Sequence, residues 1–579
     1  MKNKTATVLP EKTQLPKADI FFILLLSLQI CLLISYMNKK TGWFIDEIFS
    51  YGLSNCSNGG VLYPEGTWND DINDRIFNKW ISGRTFAKYI TVQEGEKFAY
   101  KHVWQNQEKD NHPPLYYLIL HTICSFFPEA FSKWQGFSIN IVCFIFTQIL
   151  LFAIGKRILK SDIQALLLCA FYGFGISAIN NFVYIRMYAL FTVLSLGLLL
   201  AVLKLGDKTT SENKCLFAIS LLIFLGCMTH YHFYVYAFFL ILVKLLIFLY
   251  DKQYKSAGKL ATAALIPVIL AITIYPAIIT HMQTSPRARE AFGGVKHEDS
   301  LWKFCWVFMF AINYITGLSF ELSETLATAL YTFIDVSANL FPLLLLIGAI
   351  FCVKQENKSK AIKTLSHFKT VLPKDEFKDK LLIFIPVLLF WITIAPTLKK
   401  EFYLFIARYF FFLMPIFSLA IFLALRSILS KIFKKTAYLN SFLGLIITIA
   451  CLFSNVNDTK NFTLPVDDCF TAKTYSNLVQ NKSIFWMTPG EGELHAMAPL
   501  FMCTKQIFPS RLENLDKISQ AIKTLPKTEE ILLFIPEFLK KDTEVLQEVT
   551  TTGSDIVYLG RCFSWLYYNV YTFNTEMLD

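Results

Sequence analysis

Two carboxylates stand side by side in "WFIDEIFSYG", Asp46 and Glu47, among Trp43, Phe44, Ile45, Ile48 and Phe49. A carboxylate in apolar surroundings that nearby cations keep ionised is how a general base is made, able to take a proton from a hydroxyl. A solvated loop start is the plain alternative, and this stretch alone leaves the two evenly matched. "DNHPPLYYLILH" adds Asp110 and His112 ahead of a double proline. The same residues also suit a simple cap on a proline-started helix.

The matching cations lie far along the chain. Arg186 in "NNFVYIRMYAL" and Arg408 in "FYLFIARYFFFLMP" each precede an apolar run, with Lys399 and Lys400 ahead of the second. A lone arginine there commonly snorkels to lipid headgroups. His230 and His232 in "MTHYHFYVY" have no evident third ligand, so aromatic packing is favoured over a metal site. Taken together, a buried carboxylate and guanidinium groups at a lipid boundary suit a substrate with a phosphate headgroup and a long apolar tail.

The elements that must position these residues are membrane spans. The chain has 579 residues, 54% hydrophobic and 16% aromatic, with apolar runs near the roughly 20 residues that cross a bilayer as helix. They read as about 11 spans: Ile20–Tyr36, Phe137–Gly155, Ile163–Ala178, Tyr184–Leu203, Cys215–Met228, His232–Tyr250, Ala261–Thr280, Leu340–Val353, Leu381–Pro396, Tyr403–Leu425 and Asn440–Ser454. The fold class is therefore a mainly α polytopic bundle. The first run has no small-residue cleavage site before the charged loop and reads as an anchor, not a signal peptide. With residues 1–19 as a cytoplasmic arm, 25 Lys and Arg fall on inner segments, while residues 456–579 hold 11 against 16 Asp and Glu. The net charge of +11 thus orients the protein and implies no nucleic-acid partner.

Residues 20–455 form the transmembrane domain, with a long outer loop at 38–112 whose aromatic content argues for order and whose segment Asp71–Ile90 reads as helical. Pro113–Phe127 is too short to span comfortably and reads as a helix in the outer interface. Further interfacial helices are expected around Trp302–Ile315, and an inner lysine-rich loop at Lys354–Lys380. Residues 456–579 alternate strand-like runs (Ser483–Met487, Glu530–Ile535, Ile556–Leu559) with helix-like ones (Leu515–Thr524, Pro536–Glu548), as a small extracytoplasmic α/β domain would. There is no glycine-rich phosphate loop. The 13 cysteines show no CxxC pair; a disulfide among Cys469, Cys503 and Cys562 is left open.

In order and spacing, "WFIDEIFSYG", "DNHPPLYYLILH", "FVYIRMYAL", "THYHFY" and "ARYFFFLMP" resemble the bacterial GT-C glycosyltransferases of the protein O-mannosyltransferase-like group. The lipid A aminoarabinose transferases resemble it more distantly. The resemblance covers Ile20 to Leu425. It implies an enzyme of the cell membrane that moves a sugar from a polyprenyl-phosphate donor to a glycan, lipid or protein acceptor on the outer face, with no cofactor or obligatory metal. Asp46 would be the catalytic base with Glu47 beside it, and Asp110 and His112 would stand at the mouth of the site. Arg186, Arg408, Lys399 and Lys400 would hold the donor phosphate, and Tyr188, His230 and Tyr231 would line the site. Where many relatives carry an acid two residues before the first arginine, this chain has Tyr184, with Asn180 or Asn181 as candidate substitutes. A flippase or transporter of lipid-linked glycans, or a polysaccharide polymerase, is the competing reading. The almost charge-free spans and the absence of an internal repeat count against transport.

Overall fold

The computed structural model describes residues 17–40, 42–57, 76–284, 374–394, 407–456, 477–488, 492–526, 529–539, 542–550, 556–563 and 567–574, with Gly59, Leu62 and Ile315 as isolated positions. Six of the described helices are long and apolar enough to cross a membrane: Lys17–Lys39, Lys133–Leu159, His232–Tyr250, Tyr254–Ile274, Arg408–Ile432 and Thr436–Asn455. This is a multi-pass helical protein. The first of them buries only Gln29, Leu33 and Met37, so its apolar surface is left for lipid. Lys133–Leu159 starts at a capping box. Ser132 accepts from the Trp134 amide at 3.2 Å, and Gln135 reaches back to the Ser132 amide at 3.1 Å.

The run Ile163–Ala178 is a bent pair, Asp162–Gly173 and Ile176–Val183, at 58° to one another. Two causes meet at the bend. A side chain on Gly173 would strike the amide groups of Gln29 and Gln148. The backbone groups freed at the break find partners on the last described span, with Asn455 Nδ2 donating to the Phe174 carbonyl at 2.8 Å and the Ile176 amide donating to Ser454 Oγ at 3.0 Å. A broken helix is tolerated at membrane depth when a neighbour supplies such bonds.

Helix ends sort into two sets. Arg157, Asp207, Asp251, Lys378 and Asp379 gather at one end of the bundle, joined by ion pairs. Asp46, Lys40, Arg186 and Arg408 gather at the other.

A six-stranded sheet stands at this second end, in the order β1-β3-β2-β4-β6-β5. β1 is Ile81–Ser82, β2 Ser483–Met487, β3 Gln506–Ser510, β4 Glu530–Pro536, β5 Val557–Phe563 and β6 Tyr567–Asn574. β2 runs parallel to β3 and β4, and β6 antiparallel to β4. Side chains alternate across the sheet. Ile484, Trp486, Ile507, Leu532 and Phe534 join the core continuous with the helices, while Phe485, Met487, Phe508, Ile531 and Leu533 form a second core under Leu515–Ile522 and Asp542–Thr550. Residues buried on both faces explain why β2 reads as a solid apolar run.

Several expectations change. Of Asp71–Ile90, residues 71–75 lie outside the described residues, Ile76 is helical, and the helix Gly83–Ile90, capped by Ser82, begins only after β1 has paired Ile81 with Ile507 and Ser82 with Gln506. The sheet therefore takes one edge strand from the first loop. Pro536–Glu548 splits into a turn at Glu537–Leu539 and the helix Asp542–Thr550. The run Tyr184–Leu203 becomes helical only at Tyr188. Pro113–Phe127 does hold the expected proline-started helix, Leu115–Ser125, with Pro114 as its cap. Cys503 is an exposed free thiol and Cys562 is buried. Cys469, the Leu340–Val353 run, nearly all of Trp302–Ile315 and the loop from Lys354 to Leu372 lie outside the described residues.

Candidate active site

The site is assembled on the helix Ile45–Asn55, which follows the first span by a short turn. Lys133 secures that turn. Its ammonium group donates to the carbonyls of Met37 and Lys40 at 2.8 Å and of Asn38 at 3.2 Å, closing the C-terminal end of the span. Glu47 then locks the helix to the chain from Val183 to Arg186. One of its oxygens accepts from Lys40 Nζ at 2.6 Å and from the Ile185 amide at 2.8 Å; the other accepts from the Phe44 amide at 2.8 Å. Lys40 also donates to the Val183 carbonyl. The Lys40 and Glu47 side chains are 1% and 0% exposed, so neither meets solvent. Burial pushes the Glu47 carboxyl up and the Lys40 ammonium down, and each charge partly offsets this for the other.

Asp46 faces the opposite way. Its carboxylate takes an ion-paired hydrogen bond from Arg408 Nη1 and a 2.9 Å hydrogen bond from the Tyr184 hydroxyl. Arg186 Nη1 donates to the Asp46 carbonyl and to Ser50 Oγ, both at 3.1 Å. Burial works to raise the Asp46 carboxyl, but Arg408, Arg186, the Tyr184 hydroxyl and His112 outweigh it and hold it below the ordinary carboxylate value. Arg408 lies over the ring of Phe44 at 5.6 Å and that of Tyr409 at 5.2 Å, and Arg186 over Tyr117 at 5.7 Å. Arg408 Nε has no hydrogen-bond partner among the described residues. Arg408 thus holds the side-chain carboxylate of Asp46 and Arg186 the backbone of the same residue.

Asp110 ends the helix Tyr100–Lys109, and its carboxylate binds His112 Nδ1 at 2.6 Å. Burial would raise Asp110, yet His112 and Arg186 hold it well below the ordinary carboxylate range. Tyr188 stacks on Tyr184 at 5.8 Å and meets His230 at 5.5 Å, so both line the same wall. Tyr231 points elsewhere, its hydroxyl 2.5 Å from His281 Nδ1. Asn181 is spent on Thr192 at 3.0 Å. Lys399 and Lys400 lie outside the described residues. Among the described residues no three His, Cys, Asp or Glu side chains converge as metal ligands would.

Sequence reasoning missed Lys40, Ser50 and the bonding role of Tyr184. Ser50 was within reach of the pattern, since a residue four beyond Asp46 shares its helix face. The C-terminal part also touches this helix. His495 packs on Phe49 at 5.2 Å and on Tyr89 at 5.1 Å. Tyr89 in turn lies so close to Gly52 that any side chain there would overlap its ring.

No family model matches the chain, and no curated protein matches it. Among solved structures it is similar to ArnT from Cupriavidus metallidurans bound to undecaprenyl phosphate, with a TM-score of 0.40 and 9% identity over 96% of this chain and 98% of that one. The apo state of ArnT from the same organism gives 0.37 and 10%, with the same coverage.

Proposed function

We propose that this protein is a membrane glycosyltransferase of the GT-C type that takes a sugar from a polyprenyl-phosphate donor and passes it to an envelope acceptor on the outer face. The observation that carries this reading is the meeting of Asp46 with Arg408 and Arg186. Arg408 pairs with the Asp46 carboxylate, while Arg186 bonds to a backbone carbonyl and a hydroxyl and to no carboxylate among the described residues, so it has donors for an anion, and a phosphate is the anion a planar fork grips best. The long apolar helices beside it suit the polyprenyl tail. The sequence resemblance supports the same reading.

In the step, Asp46 takes the proton of the acceptor hydroxyl as that oxygen attacks the anomeric carbon. The bond from that carbon to the phosphate oxygen breaks, and its electron pair leaves with the polyprenyl phosphate. Attack and departure on opposite faces invert the configuration. While ion-paired to Arg408, Asp46 is a weak base. A donor phosphate offers Arg408 a competing anion, so donor binding returns basicity to the carboxylate. Glu47, sealed from solvent, orients its neighbour; Asp110 fixes the ring of His112 at the rim.

The test is a panel of undecaprenyl-phosphate sugars given to purified protein with envelope extract as acceptor. Release of undecaprenyl phosphate is followed by mass spectrometry. Release by the wild type and its loss in Asp46→Asn are expected; undiminished release in Asp46→Asn overturns the mechanism.

A further inference from the structure

Tyr184 shares the Asp46 carboxylate with Arg408, yet the two donors are held very differently. Arg408 is a guanidinium on a long stem, whose Nη1 also reaches the Tyr184 hydroxyl at 3.3 Å and whose Nη2 reaches that of Tyr409 at 3.4 Å. Tyr184 is fully buried, edge-on to Phe44 at 5.5 Å and stacked on Tyr188. Its backbone is fixed as well, because its carbonyl accepts from the Arg186 amide and from Asn140 Nδ2, both at 2.9 Å. We propose that Tyr184 is a positioning residue that keeps Asp46 aimed at the acceptor hydroxyl when Arg408 turns to the donor phosphate. This rests on the reading of Asp46 as the base.

The argument is one of competition. A guanidinium that moves toward a phosphate weakens its bond to the carboxylate it leaves. Asp46 would then sit in a buried place with one strong donor fewer, and a carboxylate so placed protonates or swings away. Arg186 does not replace the loss, since it grips the Asp46 carbonyl and Ser50, not the carboxylate. The charged and titratable groups that face Asp46 are Arg408, Arg186, His112 and Tyr184, with Tyr117 and Tyr188 beyond them. Glu47 beside it is matched by Lys40. Among these only the Tyr184 hydroxyl both touches the carboxylate and is anchored by a rigid ring. A phenol also donates without adding charge, so it steadies the base without neutralising it as an arginine does.

The test uses Tyr184→Phe, which keeps the ring and its packing and removes the hydroxyl alone. With the undecaprenyl-phosphate sugar that the wild type turns over, kcat at neutral pH should fall about tenfold while undecaprenyl phosphate binding is unchanged. The acid limb of kcat should move up by about one pH unit, because a hydrogen bond that favours the charged form has been lost. A fluorinated tyrosine at 184, a stronger donor of the same shape, should move that limb down. In the double variant Asp46→Asn with Tyr184→Phe, the second change should cost nothing further, since Tyr184 acts only through Asp46. An unmoved limb in Tyr184→Phe, or losses that multiply in the double variant, overturns the role of Tyr184 while an inactive Asp46→Asn still upholds the base. Near-normal turnover of Asp46→Asn overturns the base and this proposal together.

Discussion

The two ends of the bundle each hold an arginine among carboxylates, and they use it in opposite ways. At one end Arg157 is saturated. Nε and Nη2 donate to Asp379 at 2.7 and 3.1 Å, and Nη1 and Nη2 donate to Asp207 at 2.6 and 3.1 Å. One cation answers two anions, and the cluster ties Lys133–Leu159 to the loop after Tyr188–Lys204 and to the start of Lys374–Ile394. At the other end Arg408 answers the Asp46 carboxylate, Arg186 is hydrogen-bonded to no carboxylate among the described residues, and Arg408 Nε is left without a partner among them. A saturated fork is a fastener. A fork with donors to spare, held beside a carboxylate, has capacity for an anionic ligand.

The comparison can be broken most directly at the carboxylates. Asp46→Asn should lower sugar transfer by about 100- to 10,000-fold while undecaprenyl phosphate still binds, because one positioned base contributes on that order. Asp379→Asn, at the fastener, should leave turnover intact and lower the melting temperature. Equal losses of turnover in both would erase the distinction.

Glu47→Gln should act on the fold before it acts on chemistry. Removing one partner of a fully buried ion pair costs about 3–5 kcal/mol, since Lys40 is then left as an uncompensated charge. Poor yield and a depressed melting temperature are expected, partly recovered when Lys40→Met is added. Normal stability with no turnover in Glu47→Gln would instead give Glu47 a direct chemical role.

The arginines come next. Arg408→Lys should weaken undecaprenyl phosphate binding about tenfold or more, because a point charge does not grip two oxygens as a planar fork does. Arg157→Lys should leave that binding unaltered. Wild-type affinity in Arg408→Lys would remove the phosphate role.

The smallest effect is a pH dependence at the rim. Asp110 has its folded-state value held below the ordinary one, so its contribution to stability is present above about pH 4 and is lost as pH falls through the depressed value. Melting temperature measured downward from neutral should therefore fall less steeply below about pH 4 in Asp110→Asn than in the wild type. Parallel curves would mean that the His112 pair contributes nothing to the fold.

Much of the architecture was legible. Ser483–Met487 and the onset of the helix at Leu515 were read at their observed boundaries, since a doubly buried strand and an amphipathic helix leave distinct patterns. The run from Tyr184 to Leu203 was not. Arg186 is the one charge in an otherwise apolar stretch from Phe182 to Leu203, so hydropathy reads a helix through Tyr184–Met187, where the chain breaks. The break is held by distant groups: Glu47 takes the Ile185 amide, and Asn140 serves the carbonyls of Phe182 and Tyr184 at 2.9 Å each. That break aims Arg186 at the helix bearing Asp46.

The sequence by itself determined that the chain carries several segments apolar enough to cross a membrane, because length and hydropathy settle that locally. It also determined that acids and arginines stand at the ends of those segments. Only the tertiary structure divided the labour between Asp46 and Glu47. Neighbours on a helix point about 100° apart, so one carboxylate meets Arg408, 362 residues away in the chain, and the other is sealed against Lys40. No local pattern encodes that choice, since it depends on which faces of the helix the bundle and the sheet happen to cover.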